Sequence, residues 1–209
     1  MLKLTRGEDG FALPVAISIL VISGILILAA ITLATHNTDR ANRDRDSVRA
    51  TQAADAGIDA ALYRLNKALT ASQAPGVLGL AVAAVAETAC VQVNLGQVAT
   101  VTASGGWCNF AGGTEQVDGA IEGGTGWTPA EYSYRVSTGT NIGTDSSANL
   151  IERQIISTGT VDGVSKRVLA TVRARIGTSS GNLLNLFEQV GYRTCTAEPT
   201  DPSDPASGC

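Results

Sequence analysis

The chain is short of several residue types, and each shortage closes off a class of function. It has a single histidine, His36. A Ser-His-Asp constellation needs a histidine beside its nucleophile, and no histidine follows residue 36. Aromatic residues make up 4% of the 209, and no basic stripe with interleaved aromatics is present, so nothing points to nucleic acid as a partner. Four cysteines are present, Cys90, Cys108, Cys195 and Cys209, without a C-x-x-C pair among them, which argues against zinc. Finally, no residue from Phe11 to Thr35 ionises.

That last absence organises the rest. Residues 10–35 read GFALPVAISILVISGILILAAITLAT, preceded by the polar leader MLKLTRGEDG. As a helix, residues 11–35 would extend about 38 Å, enough to cross a hydrocarbon core of about 30 Å with some tilt. A single span in lipid must satisfy its own backbone, which makes helix the expected conformation. Three readings compete. A cleaved secretory signal has an apolar region of about 7–15 residues and a small-x-small exit. This run is longer, and Thr32-Leu33-Ala34 is a mediocre exit. A plain uncleaved anchor fits the length. The third reading uses the leader, which carries Lys3 and Arg6, ends on Gly10 and gives way to Phe11.

At this junction the sequence resembles the prepilins of the type IV pilus and type II secretion families. The resemblance implies cleavage by prepilin peptidase between Gly10 and Phe11, with N-methylation of the new amino terminus. Gly10 has no side chain to obstruct close approach by an enzyme. Most pilins carry glutamate at the fifth mature position, where this chain has Val15. PilX-like minor pilins and the K-type pseudopilins include members without it, so the resemblance implies a tip or priming subunit. Pro14 falls in the first helical turn, where its missing N–H would have no partner anyway. A second segment, QAADAGIDAALYRLNKAL from Gln52, is similar to the QAAEAG-type segment of PilX-like pilins. The basic flanks argue differently. Lys3 and Arg6 precede the span, whereas Arg40, Arg43, Arg45 and Arg49 follow it, so the positive-inside count favours the orientation opposite to a pilin's. The junction and the distal cysteines outweigh that count.

Beyond the span the length suits one further domain. Residues 36–49 are polar with alternating sign, and Asp39/Arg43 and Arg40/Asp44 sit at the helix-supporting i,i+4 spacing. Val48, Thr51, Asp55, Ile58, Leu62, Leu65 and Leu69 then recur at spacings of three and four, an amphipathic stripe flanked by alanines that permit close approach. The spacing predicts one helix over 12–69, with Gly24 and Gly57 as soft points and Ala74-Pro75-Gly76 as its stop.

The remainder reads mostly as strand. Residues 77–88 are apolar, a short helix or buried loop. CVQVNL (90–95) and VATVTA (98–103) form a hairpin candidate, and 131–138 alternates. The Gly-rich stretch 104–130 and the polar stretch 139–149 read as loops. The clearest signal is a long hairpin about Asp162-Gly163, a pair suited to a type I′ turn. Past that turn Val164, Val168, Ala170, Val172, Ala174 and Ile176 share one face, and Arg167, Arg173 and Arg175 the other, solvated one. This hairpin also resembles the PilX-like sheet. Residues 178–194 are ambiguous, with Leu183, Leu184, Leu186 and Phe187 able to dock as a short helix, and 195–209 is an irregular tail.

Four cysteines allow three pairings; local pairs Cys90–Cys108 and Cys195–Cys209 are the simplest, and they imply an oxidising compartment. A carboxy-terminal disulfide loop also agrees with the pilin resemblance. Loop carboxylates (Asp201 and Asp204; Glu115, Asp118 and Glu122) do not match an EF-hand spacing, so no metal or other cofactor is expected and calcium is a minor alternative. Trp107 and Trp127 read as packing anchors.

The expectation is therefore an α+β, pilin-like chain: leader 1–10, transmembrane helix 11–35, amphipathic continuation 36–70, and a head over 77–209 with an antiparallel sheet of about four strands. The resemblance implies a non-enzymatic minor pilin-like subunit at or near a filament tip, aiding assembly or surface interaction. Its partners would be other pilin subunits, the peptidase and the membrane, and its location the cytoplasmic membrane and then the cell surface. The alternatives are a secretion pseudopilin and an uncleaved anchored binding domain.

Overall fold

The computed structural model describes residues 12–73, 90–94, 97–101, 103–104, 107–108, 117–121, 128–145, 147–177, 183–196, 198–201 and 204–209. The expectations for 1–11, 74–89 and Trp127, including the leader and the Gly10/Phe11 junction, fall outside these residues. The chain divides into two compact units, Met1–Arg45 and Asp46–Cys209.

One helix, α1, spans Ala12–Gln73. In the first unit its side chains from Pro14 onward are exposed. Neither Asp39–Arg43 nor Arg40–Asp44 closes into an ion pair; the helical spacing permits such a contact without enforcing it between long solvated side chains.

In the second unit, residues 46–73 of the helix pack on an antiparallel sheet. The strands in chain order are β1 Cys90–Asn94, β2 Gln97–Val101, β3 Ala103–Ser104, β4 Trp107–Cys108, β5 Val117–Ile121, β6 Ala130–Val136, β7 Thr140–Asp145, β8 Ala148–Val161, β9 Val164–Gly177 and β10 Leu183–Cys195. β1 pairs with β2 and β3 with β4. The main sheet has six strands in the order β10-β9-β8-β6-β5, with β7 also paired to β8. The fold class is thus α+β, as expected, with a larger sheet.

The β8–β9 hairpin carries the architecture. Val161 faces Val164 across a turn in which Asp162 has φ 48° and Gly163 φ 80°, the positive pair that a type I′ turn requires. One face of the sheet packs Ile151, Ile155, Val168, Ala170, Val172, Ala174 and Ile176 against Ile58, Ala61, Leu65 and Leu69 of the helix. Arg153 points into this same face. It is buried, donates to the Ser137 carbonyl at 3.0 Å, and lies 5.9 Å from the centroid of the Phe187 ring. Burial pulls its pKa down to about 10, so it stays protonated at neutral pH.

The helix stripe differs from the predicted one. Val48 is 58% exposed. The buried positions are Ala50, Ala53, Ala54, Ile58, Ala61, Leu65, Ala68 and Leu69. The cause is the tightness of the crossing. A Cβ on Gly159 of β8 would lie 2.5 Å from the Ala54 backbone nitrogen and closer still to the Ala50 carbonyl oxygen. Only alanine-sized residues fit beneath. Gly57, read from sequence as a soft point, sits against the Ser157 side chain and serves close packing instead.

Two more expectations are corrected and one ambiguity is resolved. Residues 140–145 form β7, which has six exposed residues and hence no hydrophobic alternation to read; it is held by backbone pairing to β8. The expected loop 104–130 contributes β4, β5 and the start of β6. Residues 183–195, ambiguous in sequence, form β10 and not a short docked helix. Register shifts between Leu183/Asn185, Asn185/Glu188 and Gln189/Gly191 interrupt its pairing with β9. These bulges break the period of two that marks a strand in sequence.

Candidate functional site: the exposed apolar helix and the stapled tail

The first candidate surface is the apolar part of α1. Every large aliphatic residue from Val15 to Leu33 is at least 42% exposed. This is the one helix among the described residues that is long and apolar enough to cross a membrane, and none of its apolar stretch is buried. Its few polar side chains turn their hydroxyls back on the helix. Ser18 donates to the Pro14 carbonyl at 2.8 Å, Thr32 to those of Leu28 and Ala29 at 3.1 and 2.9 Å, Thr35 to Thr32 at 2.9 Å and Thr38 to Ala34 at 2.9 Å. In hydrocarbon a hydroxyl without a partner is costly, and here each of these has one. Val15, 42% exposed, belongs to this apolar surface.

The second candidate lies on the sheet face away from the helix. Cys195 and Cys209 form a disulfide, one of the local pairs expected from sequence. Cys108 is also disulfide-bonded; Cys90 opens β1, where the side chains lie outside the description. The Cys195–Cys209 loop folds back over Arg167 of β9 and closes on itself, the Thr196 N–H donating to the Gly208 carbonyl at 3.0 Å. Beneath it, Trp107, Ile156 and Leu169 make a small apolar cluster with Cys195, Ala206 and Cys209 against it. Trp107 is a packing anchor, as its sequence context suggested.

Arg167 was expected on a solvated face. It is only 5% exposed, because the tail covers it. Its Nη1 donates to the Thr196 carbonyl at 3.1 Å, and its Nη2 to the carbonyls of Pro205 and Ser207. A buried guanidinium needs acceptors, and the tail backbone supplies three. Burial lowers the Arg167 pKa, and the nearby Asp204 charge opposes that. Its strand neighbours behave as predicted: Arg173 pairs with Glu152 at 2.9 Å and Arg175 with Asp145 at 2.8 Å, both exposed to solvent.

No cluster of metal-ligating side chains occurs among the described residues. Asp204 accepts from the Ala206 N–H at 3.0 Å, and the Asp201 N–H bonds the Ser207 hydroxyl at 2.7 Å, so these residues shape the tail. Glu115 and Glu122, and the side chain of Asp118, lie outside the described part. Sequence reading missed the role of Arg167; only the tail's cysteines hinted that this face of the sheet is covered.

Comparison with protein families, with curated proteins and with solved structures finds no match to this chain.

Proposed function

We propose that this chain is a minor pilin-like structural subunit. Prepilin peptidase cleaves it between Gly10 and Phe11, the apolar helix holds it in the cytoplasmic membrane, and the head lies outside. The subunit then enters a filament at or near its tip, exchanging lipid contacts for contacts with sister helices.

The observation that carries this reading is the uncovered apolar surface of α1. Twelve large aliphatic residues between Val15 and Leu33 are exposed. Covering them is worth on the order of 10–20 kcal/mol, taking about half of the 1.5–3 kcal/mol for each full side chain. Such a surface belongs in lipid or against other helices, and the self-bonded hydroxyls suit both. The Cys195–Cys209 disulfide supports a head in an oxidising compartment. Val15 suits a position where no neighbouring subunit requires a carboxylate.

Intact mass spectrometry of the chain extracted from membranes of cells with an active prepilin peptidase tests the proposal. The expected species begins at Phe11 and carries one added methyl group. A chain that still begins at Met1 in those cells overturns the reading and leaves a plain anchored domain.

A further inference from the structure

A cleft of about 500 Å³ opens on the outer face of the sheet beside the stapled tail, within the range of roughly 300–1,000 Å³ usual for small-molecule sites. Strand register explains its floor. Ser133 on β6 faces Thr158 on β8, and Thr158 faces Arg167 on β9. The next row pairs Arg135 with Ile156. The tail contributes Glu198, Pro199 and Pro205.

Two properties make this a built site. First, the tail side is fixed in place. Arg167 spends its donors on tail carbonyls, and the disulfide closes the loop from the other end. Little ordering is then left to do on binding. Second, the hydroxyls of Ser133 and Thr158, both half-buried, hydrogen-bond to nothing among the described residues. Each can donate and accept.

The lining also limits the ligand. It carries charges of both signs, Arg135 and Arg167 with Glu198, so it does not offer the single-sign field that concentrates a simple ion. It is a sheet face presenting side chains, whereas a peptide captured through its main chain needs an open strand edge. Uncommitted hydroxyls beside the exposed Glu198 carboxylate suit a molecule dense in groups that both donate and accept. Pro199 is exposed and offers C–H surface to a ring face, over a floor to which the buried Ile156 and Pro205 contribute. We propose that this cleft binds a saccharide of one or two sugar rings. The proposal is independent of the filament reading, since it concerns the head alone.

The test uses the full chain in phosphatidylcholine nanodiscs, with saturation-transfer NMR and calorimetry. The probes are cellobiose, lactose, diacetylchitobiose and digalacturonate, with inorganic phosphate as the anion control. At least one saccharide is expected to bind saturably at millimolar concentration. Ser133→Ala with Thr158→Val should weaken it about tenfold, the effect of two lost neutral hydrogen bonds. Thr158→Ser keeps the hydroxyl and should bind as the unmodified chain does, which separates lost chemistry from lost fold. Absence of binding by every saccharide, binding of phosphate alone, or saccharide binding unchanged in the double variant would each overturn the proposal.

Discussion

Among the described glycines Gly159 is the one whose added Cβ would meet the nearest atom, and replacing it with alanine is the sharpest test of the helix–sheet packing. The added Cβ would sit 2.5 Å from the Ala54 nitrogen, nearer still to the Ala50 oxygen, and 3.0 Å from the Ala50 carbonyl carbon. Ordinary contact begins near 3.4 Å, so the helix must retreat by about 1 Å or more. The obstructing atoms are backbone, and no rotamer change relieves them. Overpacking costs about 1–3 kcal/mol where side chains give way; with backbone in the way, the upper end, about 3 kcal/mol, is expected. For a chain of this size that is a fall in Tm of roughly 6–12 °C. Gly57→Ala is the control. Its Cβ would lie 3.1 Å from the Tyr132 ring and 3.3 Å from the Ser157 Cβ, contacts that a side-chain shift of a few tenths of an ångström relieves, and would meet the Ser157 hydroxyl, which can rotate away at the loss of its 3.2 Å bond to the Ser133 carbonyl. That loss of about 1 kcal/mol is offset by the gain of about 1 kcal/mol for alanine over glycine inside a helix. Thermal unfolding in detergent, followed through the buried Trp107, should therefore leave Gly57→Ala within about 1 kcal/mol of the unmodified chain and Gly159→Ala far below it. Equal tolerance of the two substitutions would refute the close-crossing argument.

Two further expectations concern the head. Replacing Cys195 and Cys209 by serine opens a loop of sequence separation 14 and should cost about 3 kcal/mol in the chain-entropy account; denaturant unfolding with and without reductant measures it, and a loss below about 1 kcal/mol would mean that Arg167 holds the tail alone. Tyr134 is buried, and burial pushes its pKa up from 10.0 to about 12, against the opposing charge and hydrogen bond of Arg64. A raised pKa means stability that is whole below pH 10 and is lost as pH rises toward 12, worth about 2–3 kcal/mol. Arg153, pulled down to about 10, acts in the opposite sense in that window. Because Arg153 acts alike in both chains, comparing Tyr134→Phe with the parent isolates the tyrosine. The variant should lose stability less steeply between pH 10 and 12 by denaturant titration, and parallel curves would refute the assignment.

The sequence showed best those parts where periodicity and turn chemistry agree. Asp162-Gly163 between two alternating runs specified the β8–β9 hairpin down to the positive φ at both turn residues. The apolar run of α1 was equally plain, because no charge interrupts it. Other features were hidden for identifiable reasons. The helix stripe drifted from Val48 and Thr51 onto Ala50, Ala53 and Ala54, since alanine carries little hydropathy signal and its role here is to be small. β7 presents only exposed residues, and a strand held by backbone pairing leaves no apolar pattern. At the second candidate site, Arg167 alternates with buried residues in the manner of a solvated face; only a tail returning from 29 to 40 residues further on supplies its acceptors. Such long-range satisfaction has no local signature.

β10 poses the remaining physical problem, because it is the edge of the main sheet beyond β9, and an edge offers unpaired N–H and C=O groups to any passing strand. For a subunit proposed to associate through its apolar helix, adhesion between head edges would compete with ordered assembly. Two devices counter it. Three register shifts bend the strand away from a straight template. In addition, the Asn66 side chain from the helix answers Phe187 as a neighbouring strand would: its Oδ1 accepts the Phe187 N–H at 2.7 Å and its Nδ2 donates to the Phe187 carbonyl at 3.0 Å. Tyr192 ties the far end of β10 to the helix through a 2.7 Å bond to Asp55. The head-side half of the helix thus both completes the core through Ile58, Leu65 and Leu69 and occupies part of the hydrogen-bonding capacity of the edge. This explains why polar Asp55 and Asn66 stand beside an apolar stripe: they are spaced to meet β10. The exposed run of α1, with twelve large aliphatic residues against Leu184, Leu186 and Val190 on β10, remains the larger apolar surface of the described residues.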